Sequence, residues 1–395
     1  MRSWIILVIT ITLLLPPIEI VSSTAQASFH DNTYIMVGGQ NGTWFQAGQT
    51  PRLYKIFLGN NSVIRLTPVP GEGTVWGGGW NGSQWLISGW GTDPGPSGSN
   101  PYLYLYDGQN EVANGSLARY MSESSWHGGD IFAASYNGKY WLLSGMGSDT
   151  LVTATYKPGM LQNHMSLAIF DGDNFTDISS LVPLQQDALL YSNAWNGTYW
   201  LIGGGFLRNG VLFTFNGTNV VDLTSSIKVA VRSFASVQSI AWNGGYWLIG
   251  GVGFLAKYDG HSFTDLTAQL VRTVARRERL RLTVNAIAWD GFSWMIGGGT
   301  AIAQIKKRNQ DIAWIASYSP SGFDDLSAAL PTYISRPRTG STILTVCHSN
   351  NSWIIGGYSD GDAVLLSIKN GSLTDLSYLV TLTMTYVIWV GSNDT

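Results

Sequence analysis

The 395-residue chain carries only 12% charged residues and a formal net charge of −3, so no overall field draws it towards nucleic acid or an anionic membrane surface. Its polarity comes from Gly, Ser, Thr and Asn, while 17 Trp, 18 Tyr and 14 Phe supply apolar bulk, a mixture suited to many short strands joined by tight turns. One cysteine, Cys347, excludes an internal disulfide framework.

In chain order, residues 1–27 read as an export signal. Arg2 precedes an apolar run from Trp4 to Leu15, Pro16-Pro17 breaks any helix, and Ala25-Gln26-Ala27 is the small-x-small pattern of a cleavage site. The run is too short for a ~30 Å hydrocarbon core, and no later apolar stretch anchors the mature chain. Residues 28–395 are then one domain outside the cell. Ten Asn-x-Ser/Thr sequons are candidates for glycosylation: Asn41, Asn60, Asn81, Asn114, Asn174, Asn196, Asn216, Asn350, Asn370 and Asn393.

Internal repetition dominates the remainder. Ile240-Ala241-Trp242-Asn243-Gly244-Gly245-Tyr246-Trp247-Leu248-Ile249-Gly250-Gly251 has a near copy at Ile287 to Gly298, and further copies at Trp80 to Gly89, Tyr136 to Gly145, Trp195 to Gly204 and His348 to Gly357. Apolar runs around Asn-Gly or Asp-Gly predict a β-hairpin, here strands a and b. Each is followed by a second hairpin, typified by Tyr258-Asp259-Gly260-His261-Ser262-Phe263-Thr264-Asp265-Leu266, giving strands c and d. Seven c–d hairpins face six a–b hairpins. The missing pair is split between the ends: Val387 to Ser392 matches strand a and Tyr34 to Gly39 matches strand b. The expectation is an all-β, seven-bladed β-propeller with four-stranded blades, closed by pairing of its N- and C-terminal strands.

The Trp-to-Trp spacing of 47 to 59 residues, the Gly-Gly ending strand b and the later Tyr-Asp resemble kelch repeats. The chain departs from that pattern in carrying Phe175, Phe263 or Phe323 where kelch repeats carry Trp. The resemblance implies a kelch-like propeller. The copper-oxidase chemistry of some kelch proteins takes a Cys cross-linked to Tyr and two His ligands; Cys347 instead aligns with the small residues Ala194, Ala241 and Ala288.

Trp85, Trp141, Trp200, Trp247, Trp294 and Trp353 repeat at one position and are expected between blades. The five His share no metal-site spacing with a Cys or acid, so neither a metal nor a cofactor is expected. Asp177, Asp222, Asp265, Asp325 and Asp375 recur on strand d and are expected to cap the following turn. Nothing in the sequence demands catalysis.

Of 22 Lys and Arg, ten lie between 272 and 338 (Arg272, Arg276, Arg277, Arg279, Arg281, Lys306, Lys307, Arg308, Arg336 and Arg338). All ten are expected in d–a or b–c connections, which emerge on one face of a propeller. Arg232, Arg279 and Arg338 share a register ten residues before Trp242, Trp289 and His348, with Trp126 in the same register before Tyr136. Arg232, Arg279, Arg338, Arg277, Lys307 and Trp126 therefore form the candidate ligand-binding set, since arginine forks suit carboxylate, sulfate or phosphate. Long b–c insertions are expected at 91–101, 146–166 and 300–317. The functional expectation is a secreted binding or scaffold module for an acidic polysaccharide or a surface protein. The alternatives are a polysaccharide-acting propeller enzyme and a purely structural cell-surface component.

Overall fold

A computed structural model describes residues 33–42, 48–66, 71–92, 99–108, 119–120, 126, 129–148, 163–183, 188–206, 209–274, 281–301, 311–381 and 383–393. The predicted signal, His30, His127, Asn114, Arg277, Arg279 and Lys307 lie outside the described residues.

Four strands make blade 1: β1 (Tyr34–Asn41), β2 (Thr50–Phe57), β3 (Ser62–Leu66) and, from the other end of the chain, β28 (Tyr386–Ser392). Blade 2 holds β4 (Gly73–Trp80), β5 (Trp85–Thr92), β6 (Ser99–Tyr106) and β7 (Arg119–Tyr120), and blade 3 holds β8 (Asp130–Tyr136), β9 (Trp141–Ser148), β10 (Asn163–Phe170) and β11 (Phe175–Asp177). Blade 4 follows with β12 (Leu189–Trp195), β13 (Trp200–Phe206), β14 (Asn209–Phe215) and β15 (Val220–Asp222), and blade 5 with β16 (Val237–Trp242), β17 (Trp247–Gly251), β18 (Phe254–Tyr258) and β19 (Phe263–Asp265). Blade 6 comprises β20 (Arg281–Trp289), β21 (Trp294–Ala301), β22 (Asp311–Ser319) and β23 (Gly322–Asp325), and blade 7 comprises β24 (Ser341–Ser349), β25 (Ser352–Ser359), β26 (Asp362–Lys369) and β27 (Ser372–Asp375). Seven antiparallel sheets stand in a ring, each inner strand packed on the next, and β28 on β4 completes the circle. The molecule is a seven-bladed β-propeller.

The closing sheet pairs Met36 with Gly391 and Gly38 with Trp389. Its seam is sewn on both sides: Tyr34 N donates to Asn393 Oδ1 at 2.9 Å, Arg52 Nε donates to the Thr383 carbonyl at 2.6 Å, and Thr385 N donates to the Gln40 carbonyl at 2.9 Å.

The paired glycines of strand b each answer a steric demand. A methyl group on Gly250 would stand 2.3 Å from Cγ1 of Val284, on the inner strand of the next blade. One on Gly251 would stand 2.1 Å from the carbonyl oxygen of Ser236, in its own blade. The first glycine lets two blades approach, and the second accommodates a bulge in strand a.

Aromatic side chains complete four of the inter-blade seams as Tyr–Trp pairs. Trp85, Trp200, Trp247 and Trp294 are fully buried and Trp141 nearly so, whereas Trp353 is half-buried. The Tyr preceding the strand-b position in one blade lies against the Trp of the next: Tyr34 with Trp85, Tyr140 with Trp200, Tyr199 with Trp247 and Tyr246 with Trp294, at centroid distances of 6.1, 5.4, 6.1 and 5.8 Å. Trp85 Nε1 donates to Tyr34 Oη at 2.8 Å and Trp294 Nε1 to Tyr246 Oη at 2.9 Å.

The strand-d aspartates are buckles. Each of Asp177, Asp222, Asp265, Asp325 and Asp375 accepts the N–H two residues on at 2.8–2.9 Å. The Ser or Thr at that second position then accepts a backbone N–H of strand c, as Thr267 Oγ1 does from Leu255 at 3.1 Å. This ties the outer strand back into its sheet where the d–a connection begins.

Trp294→Ala removes a buried ring from the blade 5–6 seam and should cost about 3–5 kcal/mol, whereas Tyr246→Phe, which deletes only the hydrogen bond, should cost about 1 kcal/mol. Urea unfolding of the two variants measures both, and equal losses would contradict the seam as described.

Candidate functional site

The inner edge of the ring is not a regular strand edge. In every blade the a–b register slips once, inserting one extra residue near the start of strand a. From blade 1 to blade 7 the inserted residues are Ile388, Trp76, Phe132, Tyr191, Gln238, Asn285 and Leu344. All seven are half-buried. A bulge re-aims its extra side chain, and seven in register make a belt around the channel mouth. Strand a starts from the d–a connection, so the belt lies towards the d–a/b–c face.

The belt has three chemically distinct arcs. In blades 2 to 4 the rings of Trp76, Phe132 and Tyr191 follow one another, with centroids 5.5 and 5.2 Å apart. In blades 5 and 6 it is polar. Gln238 Nε2 donates to Ser236 Oγ at 3.0 Å, and Asn285 Nδ2 donates to the Ile343 carbonyl at 3.0 Å. Both amide nitrogens are thereby held on the protein, leaving the amide oxygens as acceptors. Leu344 and Ile388 complete the belt with aliphatic side chains in blades 7 and 1.

Next to the belt, between the d–a connection of blades 4 and 5 and the b–c turn of blade 5, opens a cleft of about 1030 Å³. Tyr191, Arg232, Ser233, Phe234, Ser236 and Gln238 contribute to its lining. The segment that carries Arg232 is positioned by the helix Thr224–Ala230, whose Ile227 is buried, and by Val231 and Phe234 packing into the blade 4–5 core. Arg232 itself is exposed, and among the described residues no acceptor or carboxylate engages its guanidinium.

The other sequence candidates fare differently. Arg338 lies in the blade 6–7 connection with its side chain 90% exposed and its Nε 3.8 Å from Asp360 Oδ2, so a carboxylate already stands beside it. Trp126 is a correction. It is fully buried in the core between blades 2 and 3, its ring edge-on to Phe175 at 5.9 Å, and it presents no surface to a ligand. Arg281 is a second correction: it is the first residue of β20 rather than part of a connection. Of the six ligand candidates, the structure places Arg232 in a cleft, Arg338 at an exposed corner two blade boundaries away, and Trp126 in the core. The b–c insertions are also shorter than expected, because β5 and β6, β9 and β10, and β21 and β22 extend into the intervals. Among the described residues, no group of three or more His, Cys, Asp or Glu is placed to hold a metal ion, and no helix is long and apolar enough to cross a membrane.

One titratable group lies under the aromatic arc. Asp130, the first residue of β8, is buried and accepts a hydrogen bond from Trp76 Nε1 at 3.2 Å. Burial pushes its carboxyl up to about 7, with the Trp76 N–H pulling in the opposite direction. Sequence reasoning missed Asp130 and the belt alike. The signal for the belt was the Gly-Gly pair, since the second glycine faces each bulge; nothing in the sequence singles out Asp130.

No protein-family model matches the chain, and no curated protein matches it in sequence. Solved structures do share its fold. The acylaminoacyl peptidase of Pyrococcus horikoshii is 8% identical, with a TM-score of 0.51 over 87% of this chain and 52% of that one. This chain thus spans about half the length of that peptidase. The β-propeller domain of the Trilobed protease from Pyrococcus furiosus is 9% identical, with a TM-score of 0.47 over 87% and 92% of the two chains. At such identity the likeness is one of fold alone.

Asp130 gives the domain a pH signature. A carboxyl held at about 7 in the folded state and about 3.9 in the unfolded chain binds more protons folded than unfolded in that interval. Its contribution is fully present below the unfolded value and is lost as pH rises through about 7. Chemical denaturation should therefore show stability falling by a few kcal/mol between about pH 4 and about pH 8. Asp130→Asn should flatten the slope, and an unchanged slope in that variant would assign it to other groups.

Proposed function

We propose that the protein is an extracellular recognition module that binds an acidic polysaccharide at the d–a/b–c face. The observation that carries this reading is the cleft at Arg232, where an uncompensated guanidinium, hydroxyls and an amide adjoin an aromatic arc. These groups divide the chemistry of an acidic sugar chain among them. Half-exposed rings stack on the apolar faces of pyranose units. Amide oxygens at Gln238 and Asn285 accept from sugar hydroxyls. An arginine fork takes a carboxylate or sulfate in two-point contact. The belt sits on the inner strands and Arg232 on a connection anchored by Val231 and Phe234, so little ordering of the backbone is required on binding.

Export rests on the first 27 residues, and the proposed site on the described face alone. An acidic partner protein would use Arg232 but gain little from the belt, so the two ligand types separate by experiment. On immobilised uronate and sulfated polysaccharides, Arg232→Ala should weaken retention about tenfold or more, the equivalent of one charge-assisted hydrogen bond. Arg338→Ala, whose charge Asp360 already offsets, should weaken it less. Retention unchanged by Arg232→Ala would sink the proposal, and retention of an acidic protein but of no polysaccharide would transfer it to a protein partner.

A further inference from the structure

The ring's two faces differ in their sequons. Of the nine that fall on described residues, eight belong to the face of the a–b and c–d turns. Asn81, Asn196 and Asn350 sit at a–b turns, and Asn60, Asn174, Asn216 and Asn370 at c–d turns. Asn393 follows β28, where the a–b turn of blade 1 would stand, and its Oδ1 caps Tyr34 N. Asn41 alone, at the end of β1, lies on the d–a/b–c face.

We infer that the a–b/c–d face is the glycosylated face of the molecule, a coat of N-linked sugar that leaves the opposite face as the open docking surface. The inference rests on the extracellular reading above. It concerns the other side of the ring.

The obvious competing explanation is that these turns need Asn-Gly for their own geometry and acquire sequons by accident. Part of that is true. Asn81 Oδ1 accepts the N–H groups of Ser83 and Gln84 at 2.9 and 2.7 Å, and Asn196 and Asn216 accept the equivalent pairs. Yet the same cap forms at Asn137 with Lys139 and Tyr140, at Asn243 with Gly245 and Tyr246, and at Asp259 and Asp290. Those turns do not need a hydroxyl residue at the second position after Asn or Asp, and Asp serves the cap as well as Asn. The Ser83 and Thr218 hydroxyls add a bond to Asn81 and Asn216 Oδ1 at 3.0 Å, and Asn350 and Asn370 take left-handed backbone at φ 47° and 50°, so turn geometry accounts for part of the pattern. At Asn196 it asks for the cap alone, and a sequon takes Thr198 as well.

The folded turns can carry the product. The caps occupy Oδ1, and at Asn81, Asn196 and Asn216 no described residue accepts from Nδ2, so a sugar there leaves the cap in place. Asn60, Asn174, Asn216, Asn350 and Asn370 are exposed. In the transfer, Nδ2 attacks the anomeric carbon of an oligosaccharide carried on a lipid phosphate. The C–N bond forms as the anomeric C–O bond breaks, the lipid phosphate leaves with the electron pair, and the amide loses one proton.

Glycopeptide mass spectrometry of the protein isolated from its native cell surface tests this. The expected result is sugar on several of Asn60, Asn81, Asn174, Asn196, Asn216, Asn350 and Asn370, with Asn41 bare. Sugar on Asn41 to the same extent, or an exported chain with bare turns, overturns the inference while leaving the binding face intact. A chain with residues 1–27 uncleaved and retained in the cell removes the extracellular reading itself, and the inference with it. In a secreting, glycosylating host, Gly245→Thr supplies the hydroxyl residue missing after Asn243, at an exposed position where an added Cβ meets nothing nearer than 3.7 Å. This variant should gain one glycan's mass, and Thr198→Ala, which keeps the Asn196 cap, should lose one. No change in mass in either overturns the inference.

Discussion

Everything in this molecule follows from how one blade is laid on the next. At five of the seven seams an aliphatic side chain just before the bulge (Val75, Val237, Val284, Ile343, Val387) rests on a bare glycine of the preceding blade (Gly38, Gly203, Gly250, Gly297, Gly356), and in blades 2 and 3 the small buried Ser88 and Ser144 hold that position. An ideal Cβ on any of these glycines would lie within 2.7 Å of that side chain, well inside van der Waals contact. Interiors packed at crystal-like density do not yield by that much, so at these five seams the blades approach because the methyl group is missing. With one cysteine and few charged side chains to draw on, the ring relies on its seams, five closed over a glycine and four carrying a Tyr–Trp pair. The closing sheet of blade 1 makes the last seam equivalent to the others.

The same seam shapes the functional face. The second glycine of each pair exists because strand a bulges towards it, and the bulge turns one residue per blade to the channel mouth. A packing device thus becomes a belt of seven variable positions on a repeated frame. Blades 2 to 4 fill it with rings, blades 5 and 6 with amides, and blades 7 and 1 with aliphatic side chains. Arg232 lies where the rings give way to the amides, held by a connection whose helix and Phe234 are anchored in the blade 4–5 core.

Much of the fold was legible in the sequence because its signals are local. Asn-Gly and Asp-Gly turns between apolar runs mark hairpins, and counting them yields seven c–d units against six a–b units, hence the pairing of Val387 to Ser392 with Tyr34 to Gly39. The strand-d aspartates were legible for the same reason, since the cap spans two residues. The site was less so. A bulge adds a residue without breaking the apolar pattern, so Trp76, Phe132, Tyr191 and Gln238 read as ordinary strand positions. Equal distance along the chain also failed as a guide to equal position in connections. Trp126 and Arg232 each lie ten residues before the aromatic that ends strand a, yet one is in the core and the other in solvent. Asp130 was invisible because its raised affinity for a proton comes from burial, and burial at the edge of a strand is a tertiary property.

The central claim is that recognition belongs to the bulged, d–a/b–c side of the ring. Hydrogen exchange with and without a saturating acidic polysaccharide tests it most directly. The account predicts slowed exchange at residues 232–238 and 252–253, with the a–b and c–d turns unaffected. Slowing confined to those turns would contradict it.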